Sequence, residues 1–257
     1  MEFVVISLAA LLASALTLFS GFGLGTLLMP VVAIFFPLEV SIAITAMVHL
    51  ANNVFKVGLL GREANRSVLL RFGIPAIVSA FAGALALTWL SDAPPLCEYQ
   101  AFGRALQVSP LKLVVGSLIL VFLFLELWPR FASISLDRKW LPTGGALSGF
   151  FGGLSGHQGA LRSMFLLKAG LSKEEFVATG VMLAVMVDVS RMLVYGMDIS
   201  AQRRVVEWPL VAAASLAAFV GAYAGSRLLR KVTIGAVQRV VSILLVIVSL
   251  GLMSGVL

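Results

Sequence analysis

The amino-acid sequence predicts an all-α polytopic membrane protein with about eight transmembrane helices. Of its 257 residues, 60% are hydrophobic and 12% are charged, whereas an average soluble domain has about 25% charged residues. The mean hydropathy is +1.04, and apolar windows recur along the whole chain. Because one membrane-spanning helix needs roughly 20 apolar residues, a chain of this length holds about eight spans and no extramembrane domain.

Proline, glycine or charged residues bound the apolar windows, which define the predicted spans. The windows fall near 3–36, 40–61, 67–90, 106–128, 140–169, 175–197, 205–229 and 232–257. The first and the fifth would form helices about 45–50 Å long, which exceeds the hydrocarbon core of a bilayer at about 30 Å. We therefore expect these two segments to be tilted, broken or re-entrant.

Glycine-rich stretches lie in the middle of both long windows, SGFGLG at 20–25 and SGFFGGLSGHQG at 148–159. Glycine in a helix interior costs about 1 kcal/mol relative to alanine and permits positive φ. Irregular backbone at membrane depth is tolerated only where protein or a water-filled cavity covers it. The sequence therefore predicts helix breaks at both stretches.

An internal repeat relates the two halves of the chain by a constant step in residue number, the step from Ser20 to Ser155, which we call the repeat offset. The matched positions are Ser20-Gly21 with Ser155-Gly156, Met29 with Met164, Glu39 with Glu174, Asn53 with Asp188, Lys56 with Arg191, and Gly61 with Gly196. The repeat predicts two four-span halves, 1–129 and 130–257, which together form one membrane domain. Four crossings per half would make the halves parallel, and a re-entrant first segment could make them inverted.

Composition excludes several classes of function. Only one cysteine and two histidines are present, so a zinc or iron–sulfur site of the usual kind cannot form, and we expect no metal and no cofactor. The chain has neither a P-loop nor a Ser/His/acid constellation, so it is not expected to be an enzyme. The net charge of +7 comes without a long basic run, which indicates orientation signals near lipid headgroups or attraction for an anion rather than binding of nucleic acid.

Orientation does not follow from the basic residues. Assigning alternate loops to the two sides of the membrane places eight Lys and Arg residues on each side. The positive-inside rule needs an asymmetry between the two sides.

The motif SGFGLGTLLMP at 20–30, with AIT at 43–45, and its counterpart GGLSGHQGAL at 152–161, with VAT at 177–179, resemble the sulfite exporter TauE/SafE family. The resemblance covers nearly the whole chain. It implies a multi-pass protein of the bacterial cytoplasmic (inner) membrane that moves sulfite, sulfoacetate or a related anion, with protons as the coupling ion. The sequence departs from the family pattern at His157-Gln158 and at Arg162-Ser163.

A sulfur oxyanion needs hydrogen-bond donors and positive potential. A helix that restarts after a break presents unpaired N–H groups and a partial positive charge. The candidate substrate-binding residues at the two breaks are Ser20, Gly21, Gly23, Gly25 and Thr26 in the first, and Ser155, Gly156, His157, Gln158 and Gly159 in the second. The alternative interpretation is that the glycines only permit close helix packing.

Arg162 follows the second break, where its planar guanidinium suits a bidentate oxyanion contact. Snorkelling or an internal ion pair are the alternatives. In the second span, Thr45, His49, Asn52 and Lys56 are spaced to share one helical stripe, which we expect to face the bundle interior. Lys56, near the end of that span, could instead snorkel. Asn52 and its neighbour Asn53 are candidate substrate ligands.

Asp188 and Arg191 in the sixth span are also candidate functional residues. At i and i+3 they could form a purely structural ion pair. Alternatively, Asp188 carries the coupling proton and Arg191 binds the anion. His49 and His157 are further candidates for proton coupling, because histidine titrates most easily near neutral pH.

These observations predict a proton-coupled secondary carrier that exports a small sulfur-containing anion by alternating access around the two breaks. The alternatives are an anion channel and a carrier of another small anion. The sequence leaves open whether the protein acts as a monomer or as a homodimer.

Overall fold

The computed structural model describes residues 1–16, 23–101, 103–132, 134, 136–201, 206–228 and 234–257. Helices dominate these ranges. In chain order they are α1 (Glu2–Leu16), α2 (Leu24–Val32), α3 (Leu38–Leu60), α4 (Arg66–Ser91), α5 (Pro110–Leu127), α6 (Pro129–Ala132), α7 (Leu141–Ser155), α8 (Gly159–Leu166), α9 (Lys173–Ala201), α10 (Trp208–Leu228) and α11 (Ile234–Met253). Short 3-10 helices occupy Gly61–Glu63 and Arg138–Trp140.

The helices confirm the predicted class of an all-α polytopic membrane protein. Five of the described helices, α3, α4, α5, α9 and α10, are long and apolar enough to cross a membrane. α1 and most of α11 are shorter apolar helices. Exposed tryptophans lie at helix ends, as an interfacial belt requires. They are Trp89, Trp128, Trp140 and Trp208.

Both long apolar windows are broken. In the first, α1 ends at Leu16 and α2 begins at Leu24. In the second, α7 ends at Ser155, Gly156 adopts the left-handed conformation with φ of 83°, and α8 begins at Gly159. A side chain at Gly156 would be strained at this φ, so glycine permits the turn.

The starts of four helices follow the repeat offset found in the sequence. α8 begins one repeat offset after α2, and α9 begins one repeat offset after α3. The helix that follows each break and the next helix along the chain therefore begin at corresponding residues of the predicted repeat. This agreement places corresponding residues at corresponding points of the helices.

Several glycines let helices pack backbone to backbone. Gly145, Gly149 and Gly153 on α7 lie directly against carbonyl groups of α4. Gly221 and Gly225 on α10 lie against carbonyl groups of α1 in the same way. Any larger residue would overlap the neighbouring backbone, so close packing explains these five glycines.

A β-hairpin occupies part of the segment that the sequence analysis treated as a loop between spans. β1 (Cys97–Ala101) pairs antiparallel with β2 (Arg104–Val108). The hairpin also contacts the end of the chain, because the Tyr99 hydroxyl donates to the Ser254 carbonyl at 2.5 Å. The helical hydropathy windows do not register two strands of five residues each.

Candidate functional site

A buried polar core lies where α3 packs against α9, and α9 in turn contacts the end of α7 at the second break. Thr45, His49 and Asn52 on α3 are buried, as are Asp188 and Arg191 on α9, which are 0% and 1% exposed. The polar stripe of α3 therefore faces the bundle interior, as its spacing indicated. Charged groups placed so deeply require partners.

Asp188 is bound by two side chains from opposite sides. Its Oδ2 lies 2.6 Å from His49 Nδ1, and its Oδ1 accepts a hydrogen bond from Arg191 Nη2 at 2.7 Å. The ion pair expected from the i and i+3 spacing is present, and His49 joins it from α3. Asn53 Nδ2 lies 3.2 Å from the His49 ring nitrogens. α3 and α9 are thus joined through one carboxylate.

Arg191 also connects this cluster to the second break. Its Nη1 donates to the Gly152 carbonyl at 3.3 Å, and a Cβ at Gly156 would lie 2.9 Å from the same nitrogen. Tyr195, one turn further along α9, donates its hydroxyl to the Gly153 carbonyl. The end of α7 is therefore held against α9 by polar contacts with its backbone.

The first break approaches the same place. A Cβ at Gly25, in the first turn of α2, would lie 3.7 Å from the Gly156 carbonyl oxygen and 3.9 Å from Thr45 Cγ2. Neither α2 nor α8 has a side-chain cap at its start. The N–H groups of both first turns thus lack the side-chain partner that a cap would supply.

His157 and Gln158 occupy the turn between α7 and α8. The His157 ring stacks on Phe122 of α5 with centroids 5.6 Å apart, and its Nδ1 lies 3.0 Å from Ser155 Oγ. Gln158 Oε1 accepts from Arg162 Nη1 at 3.2 Å. The sequence analysis did not foresee Phe122, because one phenylalanine in an apolar helix carries no signal.

Arg162 and Lys56 are two partly buried cations at the edge of this core. Both salt bridges found among the described residues belong to Asp188, and neither includes Arg162 or Lys56.

Several buried polar atoms have no hydrogen-bond partner in the part of the chain that the structure describes. They are Thr45 Oγ1, Asn52 Nδ2, Glu126 Oε2, His157 Nε2, Gln158 Nε2 and Arg191 Nε. Five of these six atoms belong to candidate-site residues or to the polar stripe of α3. The nitrogen atoms of Asn52, Gln158 and Arg191 among them can only donate hydrogen bonds. Buried donors without acceptors are costly unless a ligand supplies the acceptors.

Not every candidate residue joins the core in the same way. Ser20 and Gly21 lie outside the described residues. Asn52 turns toward α1, where its Oδ1 accepts from Ser14 Oγ at 3.1 Å. Thr26 is buried in the first turn of α2. A Cβ at Gly159 would meet no atom within 4 Å, so packing does not require glycine at the start of α8.

Glu126 was also missed by the sequence analysis. It lies near the end of α5, one turn beyond Phe122, and one of its carboxylate oxygens is buried without a partner in the described ranges. A single glutamate near the end of an apolar span carries no sequence signal that it is buried. The same ranges contain no group of three or more His, Cys, Asp or Glu side chains that could hold a metal ion.

A bundle of membrane helices with two broken segments around a buried, charged core has the features of a membrane transporter. The family model described as sulfite exporter TauE/SafE matches residues 6–252. The chain therefore belongs to the sulfite exporter TauE/SafE family and is a multi-pass membrane transporter, which confirms the resemblance seen in the glycine motifs. No curated protein and no solved structure matches it.

Proposed function

We propose that this protein is a secondary carrier that exports a small sulfur-containing anion, such as sulfite or an organosulfonate like sulfoacetate, across the bacterial cytoplasmic membrane. The excess of cations and free donors over acceptors in the core carries the proposal. Arg191 is paired with the carboxylate of Asp188, whereas neither Arg162 nor Lys56 takes part in a salt bridge among the described residues. An anion with several acceptor oxygens fits such a site.

The oxyanion would bind where the two breaks meet. The unpaired donors Gln158 Nε2 and Arg191 Nε, the guanidinium of Arg162 and the N–H groups at the starts of α2 and α8 supply hydrogen bonds and positive potential. Ser155, Gly156, His157 and Gly159 line the second break beside them. These donors would take the place of the anion's hydration shell, because they supply the hydrogen bonds that water supplies in solution.

Proton coupling would use Asp188 and His49, with His157 as a further titratable group. The Asp188 carboxylate is stabilised either by the charge of Arg191 or by a bound proton. A bound anion competes with Asp188 for the Arg191 guanidinium. When the anion attracts Arg191, the carboxylate loses a stabilising charge and takes up a proton together with His49. Release of the anion restores the ion pair and expels the proton. Alternating access would then come from movement of the halves 1–129 and 130–257 around the two breaks.

The test is anion flux from liposomes that contain the purified protein. Sulfite and sulfoacetate efflux is measured with and without an imposed pH gradient. Arg162→Ala is expected to abolish flux, and Asp188→Asn to retain anion exchange while losing the response to the gradient. Arg62→Ala is the matched control, because Arg62 is an exposed arginine outside the core.

Two results would contradict the proposal. Flux that persists in both core variants would mean that the site lies elsewhere. Flux that neither saturates nor accelerates with anion on the opposite side would identify a channel. Because Asp188→Asn leaves Arg191 without its carboxylate, thermal unfolding of the purified variant separates a failure of folding from a failure of coupling.

A further inference from the structure

We infer that both broken segments are re-entrant and that they enter the membrane from opposite faces. Each of them, α1–α2 in the first half and α7–α8 in the second, leaves the membrane on the face where it entered. Three long helices follow each segment, α3, α4 and α5 in the first half and α9, α10 and α11 in the second. Because three crossings take the chain to the opposite face, the second half is an inverted copy of the first.

Contacts between the halves fix the direction in which α9 crosses. The turn around Asn65 joins the end of α3 to the start of α4, and we call its side of the membrane the turn face. The side that carries β1 and β2 is the strand face. The Asn65 N–H donates to Thr179 Oγ1 at 2.9 Å, and Asn65 Nδ2 donates to Glu175 Oε1 at 3.2 Å. Thr179 and Glu175 lie near the start of α9, so α9 begins at the turn face and runs antiparallel to α3.

α7 enters from the turn face, because it runs parallel to α4. Gly145 of α7 lies against the carbonyl group of Phe72 on α4. About two turns further along both helices, Gly153 lies against the carbonyl group of Ala80. The 15 residues of α7 extend about 22 Å at 1.5 Å per residue, which is less than a hydrocarbon core of about 30 Å. α7 therefore ends inside the membrane.

α8 turns back to the turn face. A Cβ at Gly144, near the start of α7, would overlap the ring of Phe165, near the end of α8. The Leu136 N–H, which precedes α7, donates to the Met164 carbonyl at 3.3 Å. The end of α8 thus lies beside the segment from which α7 starts, and the left-handed backbone of Gly156 lies at the reversal between the two helices.

α1 enters from the strand face, because it runs parallel to α10. Gly221 of α10 lies against the carbonyl group of Leu11 on α1. One turn further along both helices, Gly225 lies against the carbonyl group of Ala15. α9 ends at the strand face, and the chain from 202 to 207 reaches about 20 Å at about 3.5 Å per residue, which is too short to recross the membrane. α10 and α1 therefore both begin at the strand face.

α2 leads back to the strand face. α3 begins there, since it ends at the turn face, and the chain from 33 to 37 that joins α2 to α3 is too short to cross the membrane. A Cβ at Gly25, in the first turn of α2, would lie 3.9 Å from Thr45 Cγ2, which lies partway along α3. α2 thus runs antiparallel to α3, from the interior of the bundle to the face at which α1 began.

The inner ends of the two re-entrant segments meet at the polar core. A Cβ at Gly25 would lie 3.7 Å from the Gly156 carbonyl oxygen, and a Cβ at Gly156 would lie 2.9 Å from Arg191 Nη1. In the carrier proposed above, on which this point rests, each segment forms the route to the core from one face. Displacing α1–α2 opens the core to the strand face, and displacing α7–α8 opens it to the turn face.

Single-cysteine variants of the full chain distinguish re-entrant segments from spans. The four substitutions lie at exposed or partly exposed positions that flank the segments, and they are Glu2→Cys and Pro37→Cys for α1–α2, and Lys139→Cys and Lys168→Cys for α7–α8, each combined with Cys97→Ser. Intact spheroplasts are treated with a thiol-reactive polyethylene glycol that cannot cross the membrane, and the gel mobility of the protein is compared with that after permeabilisation. The two cysteines that flank one segment are expected to react under the same condition, and those of the two segments under opposite conditions.

Arg66→Cys and Asp92→Cys are the matched controls, because these exposed residues flank α4, which is long enough to cross the membrane. They are expected to react from opposite faces, Arg66→Cys together with the Lys139 and Lys168 variants. Reaction of the two cysteines of either pair from opposite faces would mean that their segment spans the membrane and would overturn the inference. Reaction of all four from one face would overturn the inversion. Labelling does not depend on transport, so a chain with the expected pattern but no flux of sulfite or sulfoacetate contradicts the proposed function alone.

Discussion

The two halves of the chain share one register but differ in charge. α8 and α9 start one repeat offset after α2 and α3, respectively. At that offset Gly23 corresponds to Gln158, Leu27 to Arg162, Asn53 to Asp188 and Lys56 to Arg191. The second half thus supplies the carboxylate and both arginines of the core, and the first half supplies His49 and Lys56. Matched positions of the predicted repeat therefore carry different charges in the two halves.

The largest difference is expected between Asp188→Ala and Asn53→Ala. The first leaves Arg191 buried without its carboxylate, which costs about 3–5 kcal/mol. The second removes a contact to His49, which costs about 1 kcal/mol. Thermal unfolding of the two purified variants measures the difference. Equal destabilisation of the two variants would show that the carboxylate of the second half does not balance the charge of Arg191 in the core.

Packing should also distinguish the halves. Gly149 lies against the backbone of Ala76 on α4, whereas its counterpart Ser14 carries a side chain and donates to Asn52. Gly149→Ala is expected to destabilise the protein by about 1–3 kcal/mol, because the new methyl group would overlap a backbone carbonyl. Gly196→Ala is the control, since a Cβ there meets no atom within 4 Å. A stable Gly149→Ala variant would contradict the close approach of α4 and α7.

Asn53→Asp copies the carboxylate of the second half into the first. The new charge would lie next to His49, whose ring is 3.2 Å from Asn53 Nδ2, and would lower the net positive charge of the core by one. Sulfate binding is expected to weaken by about tenfold. Titration calorimetry measures the change, and Asn53→Ser is the neutral control. Unchanged affinity would mean that the anion does not sense the charge of this core.

The smallest effect is expected from Tyr195→Phe. The variant removes the hydroxyl that donates to the Gly153 carbonyl, and a net hydrogen bond contributes about 0.5–1.5 kcal/mol. The corresponding position of the first half holds Leu60, which has no hydroxyl to lose. A small fall in the unfolding temperature with unaltered anion affinity is expected. Loss of binding would instead place Tyr195 among the ligands.

Much of the fold could be predicted from the sequence, because its signals are local. Hydropathy defined the spans, and the glycine-rich stretches indicated both breaks, one of which the structure shows at Gly156 with its positive φ. The spacing of Thr45, His49 and Asn52 placed them on the buried face of α3. The hairpin at 97–108 was missed, since two strands of five residues in a polar connection leave no periodicity that a helical window detects.

The sequence predicted which residues belong to the site but not the contacts between them. Residue types and positions indicated Asp188, Arg191, Arg162 and His49, yet the contact between His49 and Asp188 joins positions far apart in the chain. Spacing within one helix says nothing about such a contact.

The β-hairpin gives the protein an internal marker of its topology. Cys97 at the start of β1 is exposed and is the single cysteine of the chain. A membrane-impermeant maleimide added to intact cells would therefore label one defined point between α4 and α5. Labelling of intact cells would place the hairpin on the outer side of the membrane. Labelling only after the cells are opened would place it on the inner side. The natural chain thus carries a thiol tag that fixes its orientation without an engineered cysteine.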